Sequence, residues 1–221
     1  MQVGSQFVAN AEVDEMMNKC GGGVTVIDGT FAKGAGALQK GLERIRSEAA
    51  DAVSSGAGHI VLTDQHQSDT RVGMPMILAT SAVHSGLTAK GLRTFCSINV
   101  RSAECVDPHY FAVLIGCGAT TVNAYLAQDS IANRIEHGLI EGTLLDAVRR
   151  YRDAVNAGLL KIMSKMGISV LSSYRGGLNF EAVGLSRAMC AEYFPGMQSR
   201  ISGIGTNGIQ TKVEEVHARG W

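Results

Sequence analysis

The chain has 221 residues, of which 27 are glycine and 45% are hydrophobic, and its formal net charge is +0. This length provides room for a hydrophobic core. The balanced charge excludes a general electrostatic basis for binding nucleic acid or a membrane surface. Many apolar residues with few aromatic ones indicate buried parallel strands and tight turns, so we expect an α/β protein and not a disordered chain.

Apolar strands alternate with amphipathic helices along residues 23–140. Strands are predicted at 24–27, 59–62, 94–98 and 120–122. Helices are predicted at 38–54, 75–90, 108–115 and 125–137, each followed by a glycine. Such alternation forms right-handed βαβ units, so we expect mostly parallel βα repeats that resemble an incomplete TIM barrel. The number of units, about four, is also compatible with an open sheet.

A polar residue stands at the end of each predicted strand: Asp28, Asp64, Asn99 and Asn123. In parallel α/β folds, ligands bind at the carboxyl ends of the strands, so these side chains would mark one face of the sheet. Asp and Asn also cap helices and form Asx turns, and that explanation stays open for each of them.

A long amphipathic helix is predicted at 144–165, ended by Gly167, and it begins a helical C-terminal extension. The β-branched residues in 168–171 predict a short strand. The turn at 172–177 combines hydroxyls, a cation and two glycines. That composition suits anion binding by backbone amides and equally suits a plain connection.

Metal ligands and membrane segments are not expected. The cysteines lie far apart, with no CxxC pair: Cys20, Cys96, Cys105, Cys117 and Cys190. We interpret them as reduced thiols, which favours a cytoplasmic location, and we predict no metal or cluster site. No apolar run of about 18 residues and no signal sequence are found, so we expect no membrane association.

Two further motifs invite a functional reading. His84 lies among apolar helix residues, where a packed boundary histidine is the simpler interpretation than a catalytic base. The segment SRISGIGTNG at 199–208 has three glycines, but we do not expect it in the strand–turn–helix context that a phosphate cradle requires.

Several segments resemble the large chain of glutamate synthase and occur in that family's order. The most specific is LLKIMSKMGISVLSSYRGG at 159–177, which is similar to the family pattern LLKIMSKMGISTLQSYRGA. Other matching segments are VLTDQ, MPMILATSAVH, GLRT, HYFAVLIGCGATTVNAYLA, FEAVGL, EYFPG, SRISGIG and VHARGW. The resemblance covers most of the chain from Gly23 onward. Departures include Ser85 and Gly86 in place of paired histidines, Ala124 in place of proline, and RGGLNFE in place of RGAQIFE.

The resemblance implies that residues 1–143 are the later part of the family's central domain and that residues 144–221 are the junction and N-terminal part of its FMN-binding synthase domain. That family makes two L-glutamates from L-glutamine and 2-oxoglutarate, an oxidoreductase reaction of nitrogen assimilation on CH-NH2 donors. FMN supplies the hydride, and the enzyme also carries an iron–sulfur cluster. The family's N-terminal cysteine nucleophile and its cluster cysteines have no counterpart here, because the chain begins Met1-Gln2 and ends at Trp221. We therefore expect a largely structural piece with no catalytic residue and no cofactor bound to it alone.

The resemblance also implies contacts near the flavin-domain junction. The candidates are Ser164, Lys165, Ser169, Ser173 and Arg175. The implied partners are the glutaminase part and the remaining FMN-domain part, and a homo-oligomer stays open. A non-catalytic scaffold or interaction module of a split enzyme is the alternative. The electron donor, ferredoxin or NAD(P)H, also stays open because it depends on other regions.

Overall fold

The computed structural model of the protein describes residues 6–20 and 23–221, and at Cys20 the backbone alone. The strands are β1 (Val24–Asp28), β2 (Thr30–Ala32), β3 (His59–Thr63), β4 (Arg71–Gly73), β5 (Ser97–Arg101), β6 (Thr121–Asn123), β7 (Glu181–Leu185) and β8 (Gln198–Ile204). The helices are α1 (Asn10–Cys20), α2 (Ala37–Ser54), α3 (Met76–Ala89), α4 (Pro108–Gly116), α5 (Tyr125–Glu136), α6 (Leu144–Lys165), α7 (Leu171–Tyr174), α8 (Arg187–Tyr193) and α9 (Thr206–His217).

The main sheet has four parallel strands in the order β1–β3–β5–β6 within the described residues. Its register places Val26 opposite Val61, Val61 opposite Asn99, and Asn99 opposite Thr121. A helix follows each of these strands before the next one begins. This confirms the predicted α/β class with mostly parallel βα repeats, arranged as an incomplete TIM barrel.

The core lies between the main sheet and α2, α3 and α4. Ile60, Leu62 and Ile98 on the sheet are fully buried, and so are Leu42 and Ile45 on the apolar face of α2. Helical spacing places apolar α2 residues on one face, and the strand residues are apolar because parallel strands are covered on both sides. Burying each such side chain contributes about 1.5–3 kcal/mol, so this layer holds the βα repeats together.

The third strand begins later than predicted. Residues Arg93–Phe95 form a single 3-10 turn, and β5 starts at Ser97 instead of Thr94. The Arg93 guanidinium donates hydrogen bonds to the carbonyl oxygens of Cys96 (2.6 Å) and Gly118 (2.8 Å), which fixes the turn. Asn99 therefore lies within β5 and not at its end, so its prediction as a strand-end residue was wrong.

The predicted strand at 168–171 is also wrong. Gly167 has φ 68°, and the Ile168 N–H bonds to the Met163 carbonyl at 3.0 Å, which is the Schellman closure of α6. Val170 then precedes the single helical turn of α7. None of the described strands pairs with this segment. Its β-branched residues favour a strand, but a strand needs a neighbour to pair with.

A second parallel pair, β7 with β8, lies in the C-terminal part, and an antiparallel pair joins β2 to β4. Neither pair was predicted. In the case of β8, the strand is almost entirely exposed and its sequence shows no apolar alternation. β8 ends at Ile204 and α9 begins at Thr206, so the SRISGIGTNG segment does have the strand–turn–helix context that we did not expect. Its glycines at 203, 205 and 208 have the spacing GxGxxG.

The C-terminal part packs back on the βα repeats. Ser81 on α3 donates to the Tyr193 carbonyl at 2.6 Å, and Tyr193 is fully buried. The Gln210 side chain on α9 accepts the Leu38 N–H at 3.0 Å, at the start of α2. Long-range hydrogen bonds of this kind fix α8 and α9 against α3 and α2.

Replacing Gly203 by alanine should destabilise the β7–β8 pair, because the added Cβ would lie 2.0 Å from the Gly184 carbonyl oxygen. Overpacking of this kind costs about 1–3 kcal/mol, so the midpoint of urea unfolding should fall. Gly58→Ala is the matched control, because nothing lies within 4 Å of its added Cβ. Equal midpoints for the two variants would contradict the close approach of β8 to Gly184.

Candidate functional site

The carboxyl ends of the main strands carry the polar residues that the sequence indicated, but these residues bond to one another. Asp28 ends β1 and accepts hydrogen bonds from the Thr30 N–H (2.9 Å) and from Arg71 (2.7 Å). Burial alone would raise the pKa of Asp28, but the Thr30 hydrogen bonds and the Arg71 charge outweigh burial and lower it. The contact with Thr30 is an Asx turn, which was the alternative explanation for a polar residue at the end of a strand.

Asp64 is buried, and the exposed Glu104 lies near it at the same edge of the sheet. Asp64 accepts from the Ser102 hydroxyl (2.6 Å) and from the Ala103 N–H (3.0 Å). Glu104 accepts from the Met76 N–H at 2.9 Å, at the start of α3. Desolvation of the carboxyl groups raises the pKa of both, and the Asp64 charge raises that of Glu104 further. Because each carboxyl is already bonded to backbone or hydroxyl groups, the pair organises loops and helix starts.

The end of β6 is occupied by the N-terminal segment. The Asn123 side chain donates to the Val8 carbonyl (2.8 Å) and to the Asn10 side chain (2.9 Å), which holds α1 across the sheet. The cavity between α1 and the sheet, lined by Val13 and Val61 among others, measures about 10 Å³. This is room for a single water at most, so no cofactor fits between α1 and the sheet.

The five junction candidates do not come together. Ser164 and Lys165 are exposed at the end of α6, and Ser173 is exposed on α7. Ser169 lines a cleft next to α6. Arg175 lines a different cleft. Arg175 thus lies in a cleft with three other basic side chains.

We call the second of these clefts the basic cleft, after its four basic residues His59, His84, Arg93 and Arg175. Its volume is about 500 Å³, within the range of small-molecule sites. It lies at the amino-terminal ends of β3, β5 and β6, opposite the edge that the sequence indicated. Arg93 was part of a matching segment in the sequence but was not singled out, because its position before a strand does not indicate a partner on another element.

His84 is a packed histidine, as its sequence context indicated. Its Nδ1 accepts a hydrogen bond from Arg93 Nε at 2.9 Å, which leaves the proton on Nε2. Burial, and then the Arg93 charge, lower the pKa of His84 to about 4. The ring fills the space beside Gly118 and Gly176, where an added Cβ would lie 2.4 Å and 3.0 Å from it. His84 is therefore neutral near pH 7 and holds Arg93 in place.

The other motifs give no reactive group. The cysteines with described side chains are free and buried, and burial raises the pKa of Cys96, Cys105 and Cys117, the last to about 12. These three thiols are therefore poor nucleophiles. Among the described residues, no group of three or more His, Cys, Asp or Glu side chains can hold a metal ion. In the same residues, no helix has the length and apolar character needed to cross a bilayer.

The GxGxxG spacing has a packing explanation. A Cβ at Gly208 would lie 2.8 Å from the Ile204 side chain, and Gly203 lies against the Gly184 backbone. These two glycines permit close contact of α9 with β8 and of β8 with β7. The segment is therefore accounted for without a bound phosphate.

Lowering the pH from 6.5 towards 4 should destabilise the protein through His84. In that window the unfolded chain takes up a proton that the folded His84 does not, so the free energy of unfolding falls as the pH falls. After solvent screening we expect a loss of about 1–2 kcal/mol. His84→Gln keeps an acceptor for Arg93 and removes the titration, so its urea unfolding curves should depend less on pH. His137→Gln, at an exposed histidine, is the control. Parallel pH profiles for the native chain and His84→Gln would refute this assignment.

Comparisons with known proteins give a consistent family. The family model of the glutamate synthase central domain matches residues 1–186. The chain is 56% identical over 221 residues to the glutamate synthase (NADPH) large chain of Azospirillum brasilense, covering 99% of this chain and 15% of that one. It is 41% identical over 182 residues to the large chain of Bacillus subtilis, covering 82% and 12%. The chain thus spans a small part of the length of these relatives.

A solved structure supports the same fold. A mutant flavocytochrome b2 with benzoylformate superposes with a TM-score of 0.50, at 13% sequence identity, over 75% of this chain and 36% of that one. At this identity the likeness concerns the fold alone, and it agrees with the parallel βα repeats of the main sheet. The chain belongs to the glutamate synthase family, whose central-domain model matches residues 1–186.

Proposed function

We propose that the chain is the central-domain part of a glutamate synthase large chain, together with the junction to the FMN-binding synthase domain. That enzyme makes two L-glutamates from L-glutamine and 2-oxoglutarate by FMN-dependent reductive transfer of ammonia. The observation that carries this proposal is the 56% identity to a large chain along the whole sequence. The division into residues 1–143 and 144–221 stays a prediction.

The role of this piece is structural, at the junction between domains. Val155, Leu159 and Met163 on α6 are buried against the core. Leu145 and Leu160 on the same helix are more than 60% exposed. An amphipathic helix with apolar residues on both sides suits a position between two packed domains. We assign the covering surface to the rest of the large chain.

The flavin and the iron–sulfur cluster belong, in this proposal, to other parts of the enzyme. The five junction candidates occupy separate surfaces, so they do not together form an FMN site. The cysteines with described side chains are buried apart from one another, which does not suit a cluster. The reduced state expected of these thiols supports a cytoplasmic location.

The purified 221-residue chain should form no glutamate from L-glutamine and 2-oxoglutarate when FMN and a chemical reductant are supplied. The reason is that its described thiols are buried, and burial raises the pKa of Cys96, Cys105 and Cys117, so these three are poor nucleophiles. A coupled glutamate assay with a no-protein control makes the measurement. Turnover above that control would contradict the assignment of the chemistry to other parts of the enzyme.

A domain exchange tests the family role directly. The matching segment of the Azospirillum brasilense large chain is replaced by this chain, and the exchange with the Bacillus subtilis segment serves as the control. We expect the first chimera to retain flavin absorbance and glutamate formation. A chimera that folds and binds flavin but has lost activity would instead favour the alternative, a non-catalytic interaction module, for which the exposed apolar residues of α6 would be the contact surface.

A further inference from the structure

The basic cleft holds two guanidinium groups without a counter-charge. Within residues 6–20 and 23–221, every ion pair with a carboxylate uses a cation other than Arg93 and Arg175. Burial lowers the pKa of Arg93, and the charge of Arg175 lowers it further. The two cations line the same cleft, so their charges repel each other. Partly buried charges are normally paired, so this arrangement calls for an anion.

The two arginines differ in what they can offer. Arg93 donates three hydrogen bonds: from Nε to His84 Nδ1 (2.9 Å), from Nη1 to the Cys96 carbonyl (2.6 Å) and from Nη2 to the Gly118 carbonyl (2.8 Å). Its carbonyl partners are neutral, so its positive charge persists in the cleft. Arg175 makes no side-chain hydrogen bond to the described residues, and its Nε is buried without a partner. Its planar group is thus free to donate two parallel hydrogen bonds to an oxyanion.

The backbone holds Arg175 in position. The Arg175 N–H bonds to the Leu171 carbonyl at 2.9 Å, and the next N–H, that of Gly176, bonds to the Ile115 carbonyl at 3.1 Å. The preceding Tyr174 is buried, with 1% of its surface exposed. Because the backbone on both sides of Arg175 is already fixed, binding a ligand would order only the Arg175 side chain.

We propose that the basic cleft binds a small dianion of the phosphate or dicarboxylate class. Arg175 contacts the oxyanion directly, Arg93 supplies a fixed second charge, and the Ser172 and Thr94 hydroxyls at the cleft edge are further donors. A cleft of about 500 Å³ accommodates a molecule of this size. This site goes beyond the proposed function, since that function assigns no ligand to the amino-terminal edge of the sheet.

Calorimetric titration of the chain with inorganic phosphate and with succinate tests this site, with chloride at matched ionic strength as the monoanion control. Arg175→Gln should weaken binding of the preferred dianion about tenfold, because it removes a charged hydrogen-bond donor. Arg175→Lys keeps the charge without the fork and should give a smaller loss. Arg149→Gln removes one charge from the exposed face of α6 and should bind like the native chain.

Histidine-ring NMR spectra locate the bound anion. Phosphate or succinate should shift the ring signals of His59 and His84 and leave those of exposed His137 in place. Tighter binding of phosphate assigns a phosphoryl ligand, and tighter binding of succinate assigns a dicarboxylate. Equal binding by Arg175→Gln and the native chain, an equal response to chloride, or uniform shifts of all histidines would overturn the proposal. The proposal would also be overturned if these shifts were lost in the active domain-exchange chimera. That loss would mean that another segment of the enzyme fills the cleft.

Discussion

The structure depends on covering both faces of its parallel strands. Ile60 faces the α2–α3 layer, and the neighbouring Val61 faces α1, so β3 needs apolar contact on both sides. Asn123 makes the second cover possible, because its amide group holds the N-terminal segment through the Val8 carbonyl. Val26, in the same cross-strand row as Val61, remains 48% exposed where this cover ends at β1. The position of α1 therefore decides how much of the barrel interior is closed.

The elements that sequence reasoning located are those whose own residues determine them. The helix at Leu144–Lys165 has an apolar face, a capping Thr143 and a terminal Gly167, and all of these are local signals. The start of β5 is not local, because it depends on Arg93 binding the Gly118 carbonyl across the fold. Likewise, β8 pairs with β7 through backbone groups, and its exposed side chains carry no periodic signal.

The candidate site shows the same limit. The resemblance brought Arg175 to attention, and the helix pattern correctly suggested a packed role for His84. Neither observation could place Arg175, His84 and Arg93 in one cleft, since they lie on three elements that meet only after folding. The polar strand ends were a local signal too, and in the structure Asp28 and Asp64 serve turns and loop contacts. A charge without a partner becomes visible only when all neighbouring groups have been placed.

The β7–β8 pair has a consequence for handling the chain on its own. It is a two-stranded parallel ribbon, and short parallel ribbons of this kind are normally covered on both faces. Val183 and Ile201 are 69% and 63% exposed on it, and each strand has an outer edge with no paired neighbour among the described strands. An exposed edge with β-branched side chains is a template for strand addition between molecules. This ribbon is therefore a place where the chain on its own can self-associate, and Ile201→Lys would put a charge on that edge.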